Sequence, residues 1–122
     1  MGIDVLIVDD LTFIKMVLRD LVEKAGFRVV GEASDGEEAL KLFHEKRPDV
    51  VLLDVTMPKM DGLTALKKML EADPNAKVIM CSALGQQRLI VQAIQLGAKD
   101  FIVKPFRPER VITSIKKILN IQ

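Results

Sequence analysis

Four short apolar runs in this chain do not alternate with polar residues: Val5-Leu6-Ile7-Val8, Val50-Val51-Leu52-Leu53, Val78-Ile79-Met80-Cys81 and Phe101-Ile102-Val103. A strand with one wet face alternates. Runs rich in β-branched residues and leucine that do not alternate read as strands buried on both faces, the habit of parallel sheets. A weaker run, Arg28-Val29-Val30-Gly31-Glu32-Ala33, suits an edge strand. A sheet of this kind needs cover on both sides, and the segments between the runs can supply it.

From Thr12 to Lys24 the apolar residues Phe13, Ile14, Val17, Leu18, Leu21 and Val22 form an i, i+3, i+4 stripe, with Gly26 as a stop signal. A second helix opens at Asp35-Gly36-Glu37-Glu38, a capping-box pattern, turns Ala39, Leu40, Leu42 and Phe43 inward, and ends before Pro48. A third runs from about Asp61 to Ala72, with Leu63, Leu66, Met69 and Leu70 on one side and Asp73-Pro74-Asn75 as its exit turn. The fourth lies near Gln86 to Leu96 and stops at Gly97. The fifth starts with Pro108 and buries Val111, Ile112, Ile115, Ile118 and Leu119. Strand and helix therefore alternate five times. That order implies right-handed βαβ units and an α/β fold: a doubly wound five-stranded parallel sheet, (βα)5, flavodoxin-like. The length of 122 residues suits one core, so residues 1–122 are expected to form a single domain.

Composition narrows the function classes. With 18 basic and 17 acidic residues the formal net charge is +1, so binding to nucleic acid by bulk charge is not expected. The one cysteine, Cys81, cannot form an internal disulfide. No apolar stretch reaches membrane-spanning length and the start lacks the basic flank of a signal peptide, so a cytoplasmic protein without membrane contact is expected.

In open α/β sheets, ligand sites form beyond the carboxyl ends of the strands. The first run ends in Asp9-Asp10, the third in Asp54, the fourth in Ser82-Ala83 and the fifth in Lys104-Pro105. A lone Asp in such a place is often only a helix N-cap, and Asp10 or Asp61 could be that and nothing more. Three acids on one rim are harder to dismiss, because two carboxylates 4 Å apart repel by roughly 4 kcal/mol at an effective dielectric near 20. Such a rim needs a cation, a proton or a basic neighbour. Oxygen ligands without a His or Cys cluster favour Mg²⁺ or Mn²⁺ over Zn²⁺. A hard divalent ion beside a carboxylate, an ammonium and a hydroxyl is equipment for phosphoryl transfer to an aspartate. His44 lies away from the rim and reads as a surface residue; Cys81 reads as core.

Asp9-Asp10, the segment Asp54-Val55-Thr56-Met57-Pro58-Lys59-Met60-Asp61-Gly62, Ser82-Ala83 and Lys104-Pro105-Phe106 together resemble the receiver domain of two-component response regulators. The likeness covers essentially the whole chain. The segments 81–87 and 97–106 are particularly similar to the single-domain chemotaxis regulators of that family. The resemblance implies a phosphoacceptor at Asp54. It implies metal ligation by Asp10, by Asp9 through water, by the Asp54 carboxylate and by the Thr56 backbone carbonyl. Lys104 would pair with Asp54 or its phosphoryl group, Ser82 would swing in to bond a phosphoryl oxygen, and small Ala83 would leave that group accessible. Phe101 would rotate inward behind Ser82, coupling the site to a surface on the fourth helix, fifth strand and fifth helix. Leu89, Ile90, Ala93, Lys99, Phe106 and Arg110 are its expected contacts.

Four positions depart from the common pattern or vary within it. Phe101 stands where many chemotaxis regulators carry Tyr, Lys15 where Arg is frequent, and Thr56 and Leu84 occupy variable places that tune phosphate lifetime. The partners implied are a CheA-like sensor histidine kinase, a FliM-like flagellar motor switch protein and a phosphatase, with the chain itself a monomer and not a conventional enzyme. A sporulation-type phosphorelay intermediate and a receiver cut from a longer regulator are the alternatives within the family. A Mg-dependent aspartyl phosphatase of the dehalogenase type is disfavoured, since Thr56 stands where a second Asp would be. A flavin binder is disfavoured too, because Asp9-Asp10 would repel an anion.

Overall fold

The computed structural model describes residues 2–121. Ten elements alternate along the chain: β1 (Asp4–Val8), α1 (Thr12–Lys24), β2 (Arg28–Ala33), α2 (Gly36–Lys46), β3 (Val50–Asp54), α3 (Gly62–Ala72), β4 (Val78–Ala83), α4 (Gln87–Leu96), β5 (Asp100–Lys104) and α5 (Pro108–Leu119). All strand pairs are parallel, in the order β2-β1-β3-β4-β5. β2 is an edge, as its weaker run suggested.

The period-two geometry of strands divides the core in two. Leu6, Val8, Val51, Leu53, Val78 and Met80 face one way and meet Ala39, Phe43, Ala65, Leu66, Met69 and Ala93 of α2, α3 and α4. Val5, Ile7, Val50, Leu52, Ile79 and Cys81 face the other way and meet Leu18, Leu21, Val22, Val111 and Ile115 of α1 and α5. Each large side chain fully buried there contributes about 1.5–3 kcal/mol. The doubly buried reading of the runs therefore holds for β1, β3 and β4.

It fails at β5. That strand is the second edge, only Ile102 is buried, and the Phe101 ring is 37% exposed. A run of three apolar residues looks the same at an edge as in the middle, because the missing neighbour leaves no mark in the run itself. Phe13 is a second correction. It belongs to the helical stripe by spacing but stands 71% exposed in the first turn of α1.

Helix ends follow the sequence signals closely. Asp35 caps α2 by accepting the Glu38 N–H at 2.8 Å, while Glu38 Oε1 accepts the Ser34 N–H at 2.8 Å. Asp61 caps α3, accepting the Thr64 N–H at 2.8 Å. Gly97 ends α4 with φ 122°, a conformation that L side chains rarely adopt. Among the described residues no helix is long and apolar enough to cross a membrane.

Candidate functional site

The strand order places the reversal between β1 and β3, since the chain leaves β1 outward to β2 and returns across it to β3. A crevice opens at the carboxyl end of the sheet at such a point. Asp9 follows β1 and Asp54 ends β3, so both acids flank that crevice. Carboxylate oxygens of Asp9, Asp10 and Asp54 lie within 4.8 Å of one another. Asp9 is fully buried, Asp54 nearly so, and Asp10 is exposed. Asp10 is not a helix cap; Leu11 holds that position of α1, and Asp9 Oδ1 accepts the Leu11 N–H at 3.0 Å.

Lys104 crosses from the end of β5 to meet them. Its Nζ donates to Asp9 Oδ2 at 2.7 Å and stands 3.4 Å from Asp54 Oδ1. Burial alone would pull its ammonium down, yet the Asp9 hydrogen bond and the charges of Asp54 and Asp9 hold it above the usual lysine value. Burial pushes the Asp54 carboxyl up to about 6; the Asp9 charge adds to the rise, and Lys104 opposes it. Above that pH the cluster carries three negative charges against one positive charge, an excess that suits a divalent ion. The donor set is all oxygen, and its two buried acids are held in place by an ammonium and a backbone N–H. These residues fit Mg²⁺ or Mn²⁺.

Ser82 Oγ is buried and has no hydrogen-bond partner. A buried hydroxyl without a partner carries a desolvation cost of about 1–3 kcal/mol, and it is a donor ready for a new acceptor. Next to it Ala83 is exposed. The sequence reasoning missed Gln86, whose side chain accepts the Ala83 N–H at 2.7 Å and donates to Thr56 Oγ1 at 2.9 Å. No local pattern could have found it, because Thr56 lies thirty residues away. Beneath the site, Cys81 sits in register with Asp54 on the neighbouring strand; it is buried, and burial pushes its thiol up to about 12. His44 is exposed, as expected, with its ring edge-on to Phe43 at 5.7 Å.

The expected output contacts divide. Lys99 and Arg110 are exposed, and Leu89 and Phe106 are half-buried. Ala93 is fully buried and Ile90 nearly so, so neither offers a surface contact in this conformation. The family resemblance, not helical spacing, had implied them; the exposed apolar residues of α4 are Val91, Ile94 and Leu96. Arg110 is also engaged internally. Its guanidinium forks onto both Asp100 oxygens at 3.1 Å and donates to the Phe101 carbonyl at 2.6 Å. Lys15 donates to the Ser34 hydroxyl.

Residues 5–116 match the family described as the response regulator receiver domain. The chain belongs to this family. It is 52% identical over 118 residues to the chemotaxis protein CheY of Thermotoga maritima, covering 97% of this chain and 98% of that one. It is 53% identical over 116 residues to the CheY of Bacillus subtilis, covering 95% and 97%. The receiver is also similar to the solved CheX-CheY-BeF3-Mg²⁺ complex from Borrelia burgdorferi, with a TM-score of 0.90 and 43% identity over 96% of this chain and 89% of the other. As a receiver, the chain is a signalling phosphoacceptor and not a conventional enzyme.

Proposed function

We propose that this chain is a chemotaxis response regulator, a single receiver unit over residues 1–122, in which Asp54 accepts a phosphoryl group from a CheA-like histidine kinase. The observation that carries the reading is the placement of Asp54 in the crevice beside β1, with Lys104 Nζ at 3.4 Å and two further carboxylates alongside. The relatives named CheY, matched over nearly their whole length, support the chemotaxis assignment.

In the transfer, an Asp54 carboxylate oxygen attacks the phosphorus of a phosphohistidine. The O–P bond forms as the P–N bond breaks, and the departing imidazole nitrogen keeps the bonding pair and takes a proton from water. Asp54 is the competent nucleophile once ionised, above about pH 6. Lys104 offsets charge on the incoming oxygens, and Asp9, bound to Lys104 and to the Leu11 N–H, keeps that ammonium aimed at the crevice. Asp9, Asp10, Asp54 and the Thr56 backbone carbonyl would hold Mg²⁺ or Mn²⁺, which supplies positive charge against the transferring group. Ser82 then bonds a phosphoryl oxygen, and Phe101, half out of the fold, turns inward behind it. That motion reshapes the face of α4, β5 and α5 for a FliM-like motor protein. The CheX seen with the Borrelia relative supports a similar partner here, one that removes the phosphoryl group.

Intact mass after incubation with Mg²⁺ and acetyl phosphate tests the proposal. The expected result is one phosphoryl adduct, absent from Asp54→Ala and from chelated samples. Failure to form it under any donor or metal condition would overturn the reading.

A further inference from the structure

We propose that Gln86 is a positioning residue that holds the two loops flanking Asp54 together in the unphosphorylated protein and must let go when the phosphoryl group arrives. The proposal rests on the phosphoacceptor reading and deepens it. Thr56 lies two residues beyond Asp54, and Ala83 lies two beyond Cys81, the register partner of Asp54 on β4. One amide side chain ties them, with Oε1 on the Ala83 N–H at 2.7 Å and Nε2 on Thr56 Oγ1 at 2.9 Å.

The position of Gln86 in the chain sharpens the point. It is the N-cap residue of α4, yet its side chain makes no bond to its own helix. The N-cap residues of α2 and α3 do the opposite, with Asp35 and Asp61 each accepting an N–H of their own first turn. At α4 the side chain is turned away to the crossing bridge, so the bridge and the start of that helix are one unit.

A phosphoryl group on Asp54 adds strong acceptor oxygens. The end of β4 offers two donors, the Ser82 hydroxyl and the Ala83 N–H. The first is unpartnered, and the second is held by Gln86. Recruiting the Ala83 N–H therefore breaks one half of the bridge, loosens the Thr56 half, and frees the first turn of α4. A group that favours the open arrangement shifts the population toward it, and a change that opens the bridge beforehand raises affinity for that group by the same linkage.

The test is the affinity for beryllium fluoride in excess Mg²⁺, read by amide NMR on the full chain. Gln86→Ala should bind about five- to tenfold more tightly than the unmodified protein. Thr56→Val, which retains the backbone carbonyl but removes the hydroxyl acceptor, should bind about two- to threefold more tightly. The double variant should gain nothing over Gln86→Ala alone, because both changes open one bridge. The Ala83 amide proton should move on addition of beryllium fluoride to the unmodified protein, and in Gln86→Ala it should already be displaced before addition. Equal or weaker binding by a folded Gln86→Ala, or additive gains in the double variant, would overturn the proposal. Absence of binding by the unmodified protein and both variants would instead overturn the phosphoacceptor reading on which it rests.

Discussion

At the end of β3 the chain enters α3 through Asp61, whose carboxylate caps the helix, and through Gly62, which is wedged against the acceptor strand. A Cβ on Gly62 would lie 2.1 Å from the Asp54 carbonyl oxygen and 2.8 Å from Val55 Cα. At the end of β4 the chain enters α4 through Gln86, with no side-chain cap and with Val91, Ile94 and Leu96 left exposed beyond it. The two helices follow adjacent strands and carry the two loops that flank the site. The start of one is jammed onto the backbone of the acceptor; the start of the other, a helix whose Ala93 packs in the core, is tied to the site by a single side chain. A switch needs both kinds of attachment, since a nucleophile must stay aimed while the element that reports on it remains free to shift.

The largest expected effect tests the jammed side. Gly62→Ala should cost more than about 3 kcal/mol, because backbone atoms cannot retreat as a flexible side chain can. Thermal melting followed by circular dichroism should show a fall of roughly 10 °C or more, or no cooperative transition. A melt close to that of the unmodified protein would mean that α3 is not wedged, and the contrast with α4 would collapse.

Lys104→Met comes next. It leaves the buried Asp9 and Asp54 without their shared counter-charge, at a cost of about 2–4 kcal/mol at pH 7.5. Millimolar Mg²⁺ should recover part of the loss, and denaturant titration with and without the ion measures it. Recovery by Na⁺ at equal ionic strength would point to general screening and away from a built divalent site.

Asp54→Asn should act in the opposite direction. The folded protein holds the Asp54 carboxyl at about 6 against 3.8 for the ordinary group, so between roughly pH 4 and 6 the folded state binds more protons than the unfolded one. Stability then falls as pH rises through that window and stays reduced above it. The amide removes this penalty. We expect a gain of about 1–2 kcal/mol at pH 7.5, shrinking to nothing near pH 3.5, in urea midpoints across the range.

The smallest effects compare the two attachments directly. Asp61→Ala removes a helix cap and should cost about 1 kcal/mol in urea unfolding. Gln86→Ala should cost about 1 kcal/mol without ligand, the counterpart of its five- to tenfold gain in affinity, and nothing in saturating beryllium fluoride and Mg²⁺, where the bridge is already open. Equal losses with the ligand bound would erase the distinction between a helix that is fixed and one that is merely tied.

Much of this was legible in the sequence because its causes are local. The runs of β1, β3 and β4 are buried on both faces and read that way, and Asp35, Asp61, Gly97 and Pro108 announce helix ends by their own chemistry. The acidic rim was legible too, since the strand-end rule places Asp9, Asp10, Asp54 and Lys104 together without coordinates. What resisted were properties of neighbours distant along the chain. The edge position of β5 depends on what fails to pair with it, and the burial of Ile90 and Ala93 depends on how α4 is rotated against β4. Gln86 looks like an ordinary polar loop residue until Thr56 and Ala83 are brought beside it.

Cys81 gives the molecule a native chemical clock. Thiolates react with alkylating reagents and thiols do not, so a buried sulfur with a pKa near 12 waits for the strand around it to open. It is the sole cysteine, and it pairs in register with Asp54. Every alkylation event therefore counts one parting of β4 from its surroundings directly beneath the acceptor. Labelling that slows when Asp54 is modified would time the tightening of the floor of the site, with no engineered probe in the chain.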